Sequence, residues 1–213
     1  MLLAMSTVDP AKFDVASSSF MNAFSGVLEA YPSVVITQDI LVPRLGGNDQ
    51  NKHMAIEATM KIKKVIKEEN LDDAIKVKVT ETGIAIKVAD PIGFDMGDAE
   101  VKPELISTLY GISKIINRTP GTKIRVEGHT DDTPIHTSKY PSNWELSASR
   151  ALNVVKFLAE NGGIDPSSLS AVGYGEFRPI VPNSTKENRK INRRIEIYVD
   201  YNQIPAEEKP VSR

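Results

Sequence analysis

Asp131 and Arg150 are the residues of this 213-residue chain whose types and spacing most readily do chemistry. The carboxylate sits where a strand hands over to a loop, and the guanidinium sits two turns into the helix that follows. Approaching one pocket from two sides, they suit a ligand carrying both an ammonium and a carboxylate. A guanidinium takes a carboxylate in a two-point fork. Such charge-assisted contacts are worth about 1.5–3 kcal/mol each when shielded from water. From charge and spacing alone, the same two residues could instead simply bridge loop to helix. Asn143, at the helix start, can donate or accept for the same ligand, and Thr130 and Leu146 would shape the pocket.

Other groupings invite chemistry and then lose their case. His129, Asp131, Asp132 and His136 have the density of a metal cluster, with a carboxylate to serve as base in a hydrolase. No H-E-x-x-H helix or cysteine pair supports it, and a polar loop at a strand end collects such residues anyway. No metal and no cofactor is expected. Ser147 and Ser149 have no base arranged against them, so a catalytic triad is not expected either. Asn192-Arg193-Arg194 reads as a basic motif, but it precedes a strand. Its expected role is to fix the loop over Gly173-Tyr174-Gly175 by hydrogen bonds.

The elements that must position these residues follow from periodicity. Ile124-Arg125-Val126-Glu127 alternates apolar and charged residues as a half-buried strand does, and Gly128 lets the chain turn. Ser142-Asn143-Trp144-Glu145 has the S-x-x-E spacing of a capping box, so a helix begins there. Trp144, Ala148, Ala151, Val155 and Leu158 form its expected apolar face, and Gly162-Gly163 stops it. Upstream, a helix is expected over 53–70. Ile75–Val79 and Ile84–Val88 alternate as a hairpin around Glu81-Thr82-Gly83. Asp90-Pro91-Ile92-Gly93 ends the second strand. Leu105, Leu109, Ile112 and Ile116 make the buried stripe of the next helix. A short strand over 169–172, a short helix over 186–191 and a final strand over 194–199 complete the domain. Strands alternating with helices predict an α/β fold, a two-layer sandwich with a mixed sheet.

Composition narrows the class. A chain 40% hydrophobic and 25% charged is that of a globular protein, and a net charge of −2 gives no electrostatic case for nucleic acid. There is no cysteine, which excludes a disulfide framework, a thiolate metal site and a lipidated N-terminal cysteine. Asp9-Pro10 opens a helix whose face carries Phe13, Phe20, Phe24 and Leu28, and Tyr31-Pro32 breaks it. Residues 32–52 read as a linker. The tail from Pro205 reads as frayed.

GHTD, SNWELSASRA, GYGEFRPIVPNST and NRRIEIYV together resemble the OmpA-like peptidoglycan-binding domain. The wording VEGHTDDTPI…SNWELSASRA is similar to the B-subunits of flagellar motor stators, the MotB family and its sodium-type relatives. The loop between Asp132 and Glu145 is longer than in general OmpA-like members, as it is in the flagellar branch. The resemblance covers roughly residues 94–199. It implies a non-enzymatic protein that anchors an ion-driven stator to peptidoglycan. Asp131 would take the ammonium and Arg150 the carboxylate of a diaminopimelate stem peptide, with Asn143, Thr130 and Leu146 around them. The implied partners are a second copy of the chain, forming a homodimer, and the membrane A-subunit of the stator. The implied place is the periplasm, tethered to the inner membrane by a helix of which Met1 to Met5 would be the last turn. Residues 1–30 would then hold a membrane remnant and a plug that limits ion leak, 31–70 a linker and helix, 71–203 the OmpA-like domain, and 204–213 a flexible tail. Two rival readings are a passive OmpA-type envelope anchor and a metal-dependent wall hydrolase.

Overall fold

The structure is a computed structural model that describes residues 49–118 and 122–201. The expected plug, most of the linker and the tail lie outside the described residues. Helix α1 spans Asp49–Glu68 and so begins four residues before the sequence suggested. It ends on Asn70, whose φ of 56° is left-handed. Leu71 N donates to Ile66 O at 2.9 Å and Asn70 N to Lys67 O at 3.1 Å, which satisfies carbonyls that the last turn would otherwise leave bare.

The hairpin of β1 (Ile75–Val79) and β2 (Gly83–Ala89) forms as read. Directly after it comes a short helix that the sequence reading took for a strand end, α2 (Asp90–Gly93). Proline at its first turn presets the backbone and gives up an N–H that would lack a partner there. Helix α3 (Pro103–Ile116) buries the expected Leu105, Leu109, Ile112 and Ile116. Strand β3 (Lys123–His129) runs two residues beyond Glu127, so His129 belongs to the sheet rather than to the loop.

Helix α4 (Asn143–Glu160) starts where the capping box placed it. Trp144 N donates to the Ser142 hydroxyl at 3.2 Å, and that hydroxyl donates to Glu145 Oε2 at 2.5 Å. Its buried face differs from the one expected. Asn143, Leu146, Ser147, Arg150, Ala151, Val154 and Leu158 turn inward, while Trp144 is 48% exposed. The inward stripe begins one residue earlier because Asn143 is needed as a polar strut, as described below.

Strand β4 (Leu169–Gly173), helix α5 (Lys186–Asn192) and strand β5 (Arg194–Asp200) complete a five-stranded sheet of order β1-β2-β5-β3-β4. The β3–β4 pair is parallel and the others antiparallel, so the sheet is mixed. Ile84, Ile86, Val88, Ile124, Val126, Ile195, Ile197 and Val199 pack with the apolar stripes of α1, α3 and α4 into one core. Each such fully buried side chain contributes about 1.5–3 kcal/mol. The alternate residues of the central strands, Arg125, Glu127, His129, Arg194, Glu196 and Tyr198, lie on the other face.

Two glycines set how closely α4 approaches the sheet. Gly128 and Gly173 are register partners on β3 and β4. A Cβ on Gly128 would lie 2.1 Å from Ser147 O, and one on Gly173 would lie 2.5 Å from Ala148 N. Only hydrogen at both positions lets the first turns of α4 lie on the strand ends. That contact brings Asn143 and Arg150 to the place where the chain leaves β3.

Candidate functional site

All five residues singled out from sequence gather at the C-terminal end of β3, and all are buried: Thr130, Asp131, Asn143, Leu146 and Arg150 are each at most 6% exposed. Asp131 and Arg150 do not pair with each other. Arg193 Nη1 lies 2.5 Å from Asp131 Oδ2, and Arg193 Nε lies 3.2 Å from Asp90 Oδ2. Arg150 Nη1 lies 2.5 Å from Asp90 Oδ1. The order is therefore Asp131–Arg193–Asp90–Arg150, two carboxylates alternating with two guanidiniums.

Sequence reasoning missed two of these four residues. Asp90 was read as the end of a strand, and Arg193 was assigned to the loop over Gly173-Tyr174-Gly175. The structure divides that basic motif. Asn192 accepts from Ile180 N and Val181 N and donates to Val181 O and Asn183 Oδ1, and Arg194 Nη2 donates to Arg178 O. Those two residues hold the 178–183 loop rather than the expected turn at Gly173-Tyr174-Gly175. Arg193 instead turns into the site. Its signal in the sequence was the alternation of β5, which sends neighbouring residues opposite ways at the strand's start.

Arg150 is locked. Its Nε donates to Asp98 O at 2.7 Å, its Nη2 to Asp95 O at 3.0 Å, and its plane lies over the Phe94 ring at 4.9 Å. It thereby clamps the 94–99 segment to α4, and Asn153 Nδ2 adds a bond to Ala99 O at 2.7 Å. Burial is the leading influence on both ends of its ion pair: it pushes the Asp90 carboxyl up and the Arg150 guanidinium down, while each opposes that shift in the other. Asp90 Oδ1 sits within ion-pair distance of Arg150 but receives no hydrogen bond of good geometry. That oxygen is the least satisfied polar atom of the chain of charges.

Asp131 is held from its other side by Thr133 N, which donates to Oδ1 at 2.9 Å. Asn143 Nδ2 reaches Glu176 Oε2 at 2.6 Å, Thr133 O at 3.1 Å and Asp131 O at 3.4 Å. It thus ties the start of α4 to the loop after β3 and to the turn after β4. Thr130 N donates to Gly175 O and Tyr174 N to Gly128 O, both at 2.9 Å. Leu146 packs with Ala99, Tyr140 and Ile135 in a small cluster that seats the long loop. Arg193 is the least buried member of the charge chain, with 26% of its side chain exposed. Beside it, Asp132 pairs with Arg189 at 3.0 Å.

The four residues that resembled a metal cluster go separate ways. Asp131 and Asp132 take the arginines just named, and His136 Nδ1 meets Pro141 O at 2.9 Å. His129 lies beside Glu127 of its own strand and Glu196 of the neighbouring one, the donor atoms lying within 4.8 Å of one another. Arg125 Nε binds Glu127 Oε1 and Arg194 Nε binds Glu196 Oε1, each at 2.6 Å, so cations already answer both carboxylates. The imidazole is stacked on Tyr174 at 5.3 Å, and neither ring nitrogen has a hydrogen-bond partner among the described residues. Burial above all, with Arg194 and Arg178 adding to it and Glu196 opposing, pushes its pKa down to about 4.

Comparison with known proteins places the chain in a family. Motility protein B of Bacillus subtilis is 34% identical over 218 residues, covering 93% of this chain and 82% of that protein. The chain belongs to the Motility protein B family. The OmpA family profile matches residues 93–193, which include three of the four charged residues, Asp131, Arg150 and Arg193. Among solved structures, the periplasmic domain of Helicobacter pylori MotB is 32% identical with a TM-score of 0.55, over 60% of this chain and 82% of that one. The cell wall anchor of the type VI secretion system from Pseudomonas aeruginosa is 27% identical with a TM-score of 0.60, over 68% of this chain and 99% of that one. Among the described residues no helix is long and apolar enough to cross a membrane.

Proposed function

We propose that this MotB-family chain anchors a flagellar stator to peptidoglycan from the periplasm, and that it catalyses no reaction. The observation that carries the reading is the Asp131–Arg193–Asp90–Arg150 alternation at the end of β3. Such a chain is neutral as a whole, and a zwitterion can enter it by exchanging partners. The ammonium of a diaminopimelate stem takes Asp131. Its carboxylate takes the guanidiniums, Arg193 on the outer side and Arg150 behind it. Asn143 keeps the three segments around the site in place, and Thr130 and Leu146 form its wall. The likeness to a protein named as a cell wall anchor supports the same role.

The rest of the stator reading follows the family. The chain pairs with a second copy, works with a membrane A-subunit, and is held to the inner membrane by a single helix, as in a stator B-subunit. Residues 9–28 act as the plug that limits ion leak before assembly. Deleting them in a chain restored to its membrane helix and co-expressed with the A-subunit raises ion leak and slows growth. Unchanged leak and growth would remove the plug from the account.

Co-sedimentation with purified sacculi tests the anchoring role. The parent chain pellets with the wall, and Asp131→Asn stays in solution. Equal pelleting of the two proteins would overturn the assignment of the site.

A further inference from the structure

Trp144 and Phe177 lie one residue beyond Asn143 and Glu176, the pair joined by a 2.6 Å hydrogen bond at the rim of the charged site. Their rings stack with centroids 5.1 Å apart and 22° between planes. The two residues nevertheless remain 48% and 62% exposed. Packing does not account for them, because the inward stripe of α4 starts at Asn143 and leaves Trp144 outside it.

Both rings rest on fixed backbone. The cap hydroxyl of Ser142 receives Trp144 N at 3.2 Å, and Phe177 N donates to Tyr174 O at 3.2 Å. Gly175, at a left-handed φ of 53°, makes the turn that returns Glu176 and Phe177 to the start of α4. The result is a stacked, half-exposed aromatic pair whose outer ring faces can receive a ligand, with amide, hydroxyl and carboxylate groups of Asn143, Ser142 and Glu176 beside it. Aromatic faces bordered by a few placed polar groups suit a ligand that is apolar on one face and polar around its rim. A pyranose ring is such a ligand: its axial C–H bonds give one apolar face, and its hydroxyl and N-acetyl groups lie in the rim.

We propose that Trp144 and Phe177 form a stacking platform for an amino-sugar ring of the glycan strand, next to the stem-peptide site. The inference rests on the stem-peptide reading given above. Chain reach supports it. A stem of three extended residues spans roughly 10 Å, and Trp144 adjoins Asn143, whose amide contacts the Asp131 backbone. A ligand seated on Asp131 therefore brings its attached sugar into range of the aromatic pair.

Trp144 is the one tryptophan of the chain, so its emission reports on the platform directly. The test is calorimetric titration of the full chain with two ligands, a disaccharide-bearing muropeptide and the identical stem peptide without sugar. Tryptophan emission is followed in parallel. The expected result is about tenfold tighter binding of the sugar-bearing ligand and an emission change with that ligand alone. Phe177→Ala and Trp144→Ala, checked for unchanged melting, then bring the muropeptide down to the affinity of the bare peptide. Equal affinity of the parent chain for both ligands, with unmoved emission, would overturn the platform and leave the stem-peptide site standing. Binding of neither ligand would overturn both.

Discussion

Arg193 and Asp131 are separated by 62 positions in the sequence and by 2.5 Å in the fold. The guanidinium that reaches Asp131 from the start of β5 also reaches Asp90 at the end of β2, so one side chain closes a site built from three strands' ends. Arg150 holds Asp90 from the helix side. A ligand entering the proposed site would therefore meet charges that are already paired. Its affinity is the difference between the contacts it makes and those it displaces.

Arg193→Ala removes the shared cation and leaves Asp131 without its guanidinium. The expected loss is about 1–3 kcal/mol of folding stability, the range for an unpaired buried polar group, read from urea unfolding midpoints. Arg193→Lys recovers only part of it, because an ammonium cannot serve two carboxylates with the same fork.

Arg150→Ala is more damaging. It strips Asp90 of a partner while both are buried, and it releases the Asp95 and Asp98 carbonyls. The expected cost is about 3–5 kcal/mol, as for breaking a buried pair. A double-mutant cycle with Asp90→Ala measures the coupling: the double variant is less destabilised than the sum of the single ones. Strict additivity would show that the pair contributes no coupling. The buried position of Arg150 also means that loss of wall binding in this variant reads on folding as much as on contact.

His129 makes the domain sensitive to mild acid. Its folded-state pKa, about 4, lies below the ordinary 6.5. The unfolded chain therefore binds the proton more readily. Stability from this group is fully present above pH 6.5 and is lost as pH falls from 6.5 toward 4. Over that window the loss amounts to about 3 kcal/mol. The facing groups are Glu127, Glu196, Arg194, Arg178 and Tyr174. His129→Gln flattens the dependence between pH 6.5 and 4, as measured by chemical unfolding across a pH series.

Gly128→Ala tests the close approach of α4. The added methyl would lie 2.1 Å from Ser147 O, which is backbone and cannot swing aside. The helix start must lift, and with it Asn143 and Ser147, whose hydroxyl accepts from Gly175 N. A cost of at least about 2 kcal/mol is expected, seen as a fall in melting temperature. Gly173→Ala behaves likewise against Ala148.

Much of the fold was legible because local signals agreed. The hairpin alternation, the Ser142 cap and the apolar stripe of α3 each came from residues close together in the chain. The two-layer mixed sheet followed from their order. The inward face of α4 did not, because Trp144 has the greater apolar area yet Asn143 has the necessary hydrogen bonds. Asp131, Arg150 and Asn143 were legible through their motifs, and the structure brings them to one place. Asp90 was hidden: its partners are 60 and 103 positions away, and Asp-Pro after a strand reads as punctuation. His129 was misread as a loop residue because Gly128 looked like the end of a strand. It is instead the glycine that admits a helix.

If the alternating charges read a free zwitterion, blocking either of its charged ends weakens binding. The most direct test is calorimetric titration of the full chain with a diaminopimelate stem peptide in three forms: intact, acylated at the free amine, and amidated at the adjacent carboxylate. Each blocked form forfeits a charge-assisted contact of about 1.5–3 kcal/mol. The predicted result is that each binds at least about tenfold more weakly than the intact peptide, with Asp131→Asn insensitive to acylation of the amine. Equal affinity of the chain for all three forms would contradict the claim.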